Sequence, residues 1–155
     1  DAFPRVTGAD LLVAGDGSQD ELLREQAARC ERIRFLGRLR HDEVLGLAGA
    51  ALAVVVPSVG LETFGGVAVE AMAVGTTAVV RDLGPLPELV EDGGGLTFSD
   101  DDDLVTVLQG LVDDPGRAAD LGRRAATVSR DRFSPERFFA RYLGLVEELR
   151  ARACR

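Results

Sequence analysis

Short runs of aliphatic and β-branched residues recur along the chain at 11–14, 33–36, 52–56, 77–80 and 96–98. Taken together they read as continuous apolar runs rather than alternating ones, the pattern of strands covered on both faces. Amphipathic or alanine-rich stretches of helical length separate them, so the pattern predicts βαβ units and a parallel sheet. The first such stretch, 19–31, carries Leu22, Leu23 and Ala27 on one face. Asp42 reads as the cap of a helix running to about residue 50, and residues 65–73 form a short helix after the third strand. The apolar run 44–56 is thereby helix first and strand second; at thirteen residues, ended by Pro57, it is too short to span a bilayer.

After Phe98 the pattern changes to helices only. Ser99 reads as the cap of a helix at about 101–112. Asp114-Pro115 and Ser134-Pro135 each open a further helix, with proline at the first helical position, where its missing N–H costs nothing. The last helix runs from 135 to about 152. These helices are expected to flank the sheet or cross back over a neighbour, not to build a second domain. The prediction is an α/β, Rossmann-like three-layer sandwich with a mostly parallel sheet, one domain over residues 1–155.

Composition narrows the ligand rather than the fold. Apolar residues make up 46% and charged residues 28%, an ordinary globular profile. The net charge of −8 argues against nucleic acid or an anionic membrane as a partner, since both need basic stripes. A single anionic ligand is compatible with it, because amides at a helix N-terminus hold phosphate without a cation. All eighteen basic residues are arginine, so no lysine is present to pair with a phosphate or form a Schiff base. Cys30 and Cys154 make no disulfide framework and read as two reduced thiols. No signal peptide is visible at the start, and no transmembrane segment or metal-binding Cys/His cluster along the chain.

The chemically informative stretch is residues 57–75, from Pro57-Ser58 through Glu62, Phe64-Gly65-Gly66-Val67 and Glu70 to Gly75. It leaves the C-terminal end of a buried strand, where open α/β sheets bind their ligands. Gly65 and Gly66 allow close backbone approach, and the helix that follows points free N–H groups at the same place. That is an anion site suited to a diphosphate. Glu62 and Glu70, if joined by continuous helix, would stand about 12 Å apart along the axis. A general acid/base pair on one bond needs roughly 5 to 9.5 Å, so the two are expected to grip different parts of one extended ligand. The alternatives are an exposed loop carboxylate for Glu62 and a solvated helix position for Glu70; Ala68, Val69, Ala71 and Met72 favour a partly buried Glu70 in want of a partner.

A glutamate, seven residues and a second glutamate, set among Pro57-Ser58, Phe64-Gly65 and Glu70-Ala71-Met72-Ala73-x-Gly75, resembles the signature of the retaining glycosyltransferases of family 4, which have the GT-B fold. Outside it, Leu12-Val13-Ala14-Gly15-Asp16-Gly17 resembles the family's strand and Gly-Asp-Gly turn, and Ile33-Arg34-Phe35-Leu36-Gly37-Arg38 the strand and turn lining the base. Gly84-Pro85-Leu86-Pro87-Glu88-Leu89-Val90 and Gly95-Leu96 resemble the loop and short strand after the fourth strand, and Phe133-Ser134 the start of a crossover helix. The chain thus looks like the C-terminal, donor-binding half of a GT-B enzyme.

By that resemblance Glu62 is the catalytic candidate, near the donor sugar and the reacting centre. Phe64, Gly65, Gly66 and Val67 would hold the diphosphate and touch the sugar, Glu70 the ribose hydroxyls and the main chain at Arg38 the base, with Gly15 a further donor-binding residue. The resemblance implies a nucleoside-diphosphate sugar as substrate, no cofactor and no metal. It implies transfer with retention to an acceptor bound by a second domain. It also implies a cytoplasmic location, with the missing half as the route to the inner membrane face. Thr77 departs from the family's usual proline. The family's earlier strand and helix, with an Arg and a Lys for the diphosphate, have no match before Leu11. The chain is therefore expected to be a fragment or excised domain, inactive alone. Two other readings stay open: a non-catalytic nucleotide-sugar-binding or scaffolding module, and a different reaction such as epimerisation or phosphorolysis on the same fold.

The remaining candidates are read as structural. His41 sits at a helix start without partners for a triad. Residues 100–103, although they spell the Asp-x-Asp of metal-dependent transferases, read as charges complementing a helix dipole. Met72, Phe133, Phe138 and Phe139 read as core.

Overall fold

The structure is a computed structural model describing residues 2–60 and 62–153. After a 3-10 turn at Phe3–Arg5, strands and helices alternate as β1 (Leu11–Ala14), α1 (Asp20–Ala27), β2 (Ile33–Gly37), α2 (His41–Ala50), β3 (Ala53–Val56), α3 (Gly66–Ala73), β4 (Thr77–Arg81), α4 (Leu86–Val90) and β5 (Gly95–Phe98). Helices α5 (Asp101–Asp113), α6 (Pro115–Phe133) and α7 (Pro135–Ala153) complete the described chain. The five strands fall where the apolar runs place them, and every pairing is parallel. Helix α4 forms where a loop is expected; Pro85 immediately before it presets φ for the first turn.

The strands hydrogen-bond as two sheets, β1-β2 and β3-β4-β5. β4 is the central strand of the larger sheet and its first four residues are buried. Ala78 and Val80 point to one face, among Val56, Ala68, Met72, Leu86, Leu89, Val90 and Ala125 from β3, α3, α4 and α6. Val79 points to the other, with Phe98, Leu111 and Ala118 and the partly buried Leu104 and Leu108. Helices on both faces of a parallel sheet give the expected three layers. α6 serves both cores and passes the start of β4 at close range. The Thr77 hydroxyl donates to the Ala118 carbonyl at 3.1 Å, and a Cβ at Gly122 would overlap the Gly75 carbonyl oxygen.

The smaller sheet is covered differently. β1 and β2 alternate half-buried and exposed residues, with Leu12 and Leu36 outward and Val13 and Phe35 inward. α1 lies over Phe35 through the Arg24 guanidinium, 4.6 Å from the ring centroid, and has no fully buried residue. The continuous apolar run of β1 predicts cover on both faces, but cover is found on one; in β2 the run is broken by Arg34, which lies on the exposed side. Beyond their one pairing each, β1 and β3 have no second strand among the described residues, so each keeps an open edge.

Two helix caps shift from expectation. α2 starts at His41, and the Glu43 carboxylate accepts from the Arg40 N–H at 2.8 Å, while Asp42 pairs with the Arg40 guanidinium. α5 is capped by Asp100, whose carboxylate accepts from the Asp103 N–H at 2.9 Å; Ser99 instead donates its N–H to Asp103. Asp102 pairs with Arg5, so these acids are engaged in capping and ion pairing. Met72 and Phe133 belong to the core, as read. Phe138 and Phe139 do not: they are 62% and 58% exposed on α7, which packs mainly against α6 among the described residues and leaves Phe138, Tyr142, Leu145 and Leu149 in an exposed row. Among the described residues, no helix is long and apolar enough to cross a membrane. Cys30 is a free thiol, and Cys154 lies outside the described residues.

Candidate functional site

Pro57 ends β3, and its missing N–H stops the ladder there. The chain then leaves the carboxyl end of the sheet and turns back into α3 through Gly65. This glycine has φ +86°, and a Cβ on it would stand 2.6 Å from Leu86 and 2.9 Å from Leu89. Only glycine meets both the backbone conformation and the close packing on α4. The turn delivers the first N–H groups of α3, at Gly66 and Val67, without a side-chain cap. Gly66 and Val67 are exposed, so these amides open to solvent.

Glu62 precedes the helix rather than sharing it, so the separation expected for one continuous helix does not apply. Its Oε1 accepts a 2.6 Å hydrogen bond from the Ser58 hydroxyl, and both side chains are half-buried. Pro57 is held in turn by a long contact of 3.4 Å from Arg81 Nε to its carbonyl. Arg81 lies over the Phe98 ring at the carboxyl ends of β4 and β5.

Phe64 is half exposed and meets Phe133 of α6 edge to face, with centroids 5.9 Å apart. Glu70 is half-buried on α3, as expected, and its carboxylate has no hydrogen bond or ion pair within the described chain. It opens into a cleft of about 310 Å³ shared with Ser129, Arg130, Phe133 and Ser134. Phe133 therefore touches the Phe64 turn and lines the Glu70 cleft. That volume lies at the small end of ligand pockets.

Gly15 and Arg38 sit on the smaller sheet and are brought together there. The Gly15 N–H donates to the Gly37 carbonyl at 2.8 Å, and Arg38 Nη2 contacts Asp16 Oδ1 at 3.1 Å. The turns after β1 and β2 are thus stitched to each other. No hydrogen bond, ion pair or ring contact among the described residues joins this pair to the Glu62–Glu70 group. Sequence reasoning missed the Ser58 contact and the contribution of Ser129 and Arg130. Ser58 had a local signal, a hydroxyl four residues before the glutamate; the α6 residues had none. Among the described residues, no group of three or more His, Cys, Asp or Glu is disposed to hold a metal ion.

A parallel sheet with helices on both faces, followed at the carboxyl end of β3 by a glycine turn and an uncapped helix between two glutamates, defines the class: an α/β domain of GT-B type. Residues 1–114 match the family described as glycosyl transferases group 1, and the chain belongs to that family. It is 36% identical over 145 residues to a glycogen synthase of Mycobacterium tuberculosis, an alignment covering 87% of this chain and 34% of the relative. It is 35% identical over 132 residues to a phosphatidyl-myo-inositol mannosyltransferase of Mycolicibacterium smegmatis, covering 83% of this chain and 33% of the relative. The solved structure of the Anabaena HepE protein in complex with UDP superimposes with a TM-score of 0.87 at 27% identity, over 96% of this chain and 43% of that one. The chain thus spans about a third of the length of these curated relatives.

Proposed function

We propose that this chain is the donor-binding domain of a retaining glycosyltransferase that moves a sugar from a nucleoside-diphosphate sugar to an acceptor. The observation that carries it is the turn at Gly65, which presents uncapped α3 amides between Glu62 and Glu70, whose carboxylate has no partner among the described residues. The diphosphate sits on the Gly66 and Val67 amides, where the helix dipole favours negative charge. Glu70 accepts from the ribose hydroxyls in its cleft, and Phe64 and Glu62 lie toward the sugar. Arg38 and Gly15, on the neighbouring turns, take the nucleoside end. As the diphosphate leaves, the amides stabilise the developing negative charge, and Glu62 stands on the side where the anomeric carbon becomes positive. No metal or cofactor enters this scheme.

The acceptor is bound by a further part of the protein. The open edges of β1 and β3, the outward Leu12 and Leu36, and the exposed apolar row of α7 all support a domain completed by further chain. The nucleotide-bound state of the HepE structure supports a uridine nucleotide as the first donor class to test.

Calorimetric titration of the chain with UDP, GDP and ADP, repeated on Glu70→Ala, tests the proposal. One nucleotide is expected to bind and the variant to lose it. Binding that survives the substitution removes Glu70 from the site, and silence toward all three in both this chain and a longer form of the protein overturns the proposal.

A further inference from the structure

The Ser58 hydroxyl and the Glu62 carboxylate are joined at 2.6 Å, the short range of a hydrogen bond to an ionised acceptor. The donor is a one-torsion side chain two residues past the end of β3, on a segment started by the rigid ring of Pro57. The acceptor is a three-torsion side chain on the glycine-bounded stretch that precedes α3. A free glutamate there would sample many rotamers, and a ligand would have to order it on binding. The bond engages Oε1 and leaves Oε2 without a partner in the described chain. What remains available is one fixed acceptor oxygen on a negatively charged group. Such a group receives hydroxyl donors and repels phosphate, whereas the amides of Gly66 and Val67 do the reverse.

We infer that Ser58 is a positioning residue for the sugar half of the donor: its hydroxyl holds Glu62 so that the free carboxylate oxygen meets a sugar hydroxyl. This rests on the nucleotide-sugar reading above. Ser58 touches no ligand itself, so its removal acts only on the part of the affinity that the sugar adds beyond the nucleotide.

The test is titration of the chain with UDP and with UDP-glucose, and with GDP and GDP-mannose in parallel. In the unaltered chain the nucleotide sugar is expected to bind more tightly than its nucleotide. In Ser58→Ala that sugar increment is expected to fall by about tenfold, the worth of one hydrogen bond to a charged group. Affinity for the bare nucleotide should stay unchanged, which also reports an intact fold. Ser58→Thr, which keeps the hydroxyl, is expected to restore the increment. Glu62→Gln should lose the same increment, and the double variant no more than either single one. Three results overturn the inference: an undiminished increment in Ser58→Ala, an equal fall for nucleotide and nucleotide sugar, or no sugar increment in the unaltered chain. Failure of every nucleotide to bind, in this chain and in a longer form of the protein, is a different outcome and overturns the donor-site reading beneath it.

Discussion

The ring of Phe64 meets the ring of Phe133 edge to face at 5.9 Å, tying the turn before α3 to the end of α6. The two residues are far apart in sequence, and Phe133 also lines the cleft into which Glu70 opens. The turn of the candidate site is thus anchored on a helix that is itself packed on both cores.

That anchoring is measurable. An edge-to-face pair contributes about 0.5–1.5 kcal/mol beyond its area burial, so Phe64→Ala and Phe133→Ala should show coupling of that size in a double-mutant cycle followed by urea unfolding. Strictly additive losses would mean that the rings are neighbours without interacting.

Glu70→Ala separates binding from stability. A half-buried carboxylate with no partner among the described residues contributes little to the fold, and stability should move by less than about 0.5 kcal/mol. Affinity for the preferred nucleotide should fall at least about tenfold, as expected for lost hydrogen bonds to a charged acceptor. A large drop in melting temperature with unchanged nucleotide affinity would make Glu70 structural.

Gly65→Ala should harm both. The left-handed backbone costs a residue with Cβ about 1–2 kcal/mol, and the new methyl would press on Leu86 and Leu89. We expect a total loss of at least about 2 kcal/mol in urea unfolding, with an unchanged m-value, together with loss of nucleotide binding.

Two helical glycines should respond with opposite signs. Gly122→Ala drives a methyl into the Gly75 carbonyl and should destabilise by about 1–3 kcal/mol. Gly110→Ala, in α5, meets nothing within 4 Å and should stabilise by about 0.5–1 kcal/mol, since alanine is the better helix former. Thermal unfolding of the two variants distinguishes a packed glycine from a merely tolerated one.

Much of this domain is legible in its amino-acid sequence. The apolar runs place all five strands, because a strand's apolar residues lie close together in the sequence. Pro115 and Pro135 mark their helix starts for a similarly local reason: a fixed φ and an absent N–H act within one turn. The order of Pro57, Glu62, Gly65 and Glu70 likewise places the glycine turn of the candidate site at the end of β3. Caps are less legible. Ser99, Asp100 and Asp103 all carry suitable oxygens, and the choice of Asp100 depends on which backbone N–H the turn presents.

Other relations are decided only in three dimensions. Nothing local in residues 11–14 and 33–37 states that β1 and β2 pair with each other and keep apart from β3, since strand pairing is a non-local hydrogen-bond choice. The apolar character of Phe138 and Phe139 predicts burial, but burial requires a facing element, and among the described residues both side chains stay more than half exposed on α7. The sequence by itself determined the elements, the glycine at the strained turn and the two carboxylates of the candidate site. The tertiary structure determined that Ser58 holds Glu62, that Phe133 closes on Phe64 and that α6 shapes the cleft of Glu70. Backbone propensities act over a few residues, whereas those contacts exist only once the sheet and its helices have packed.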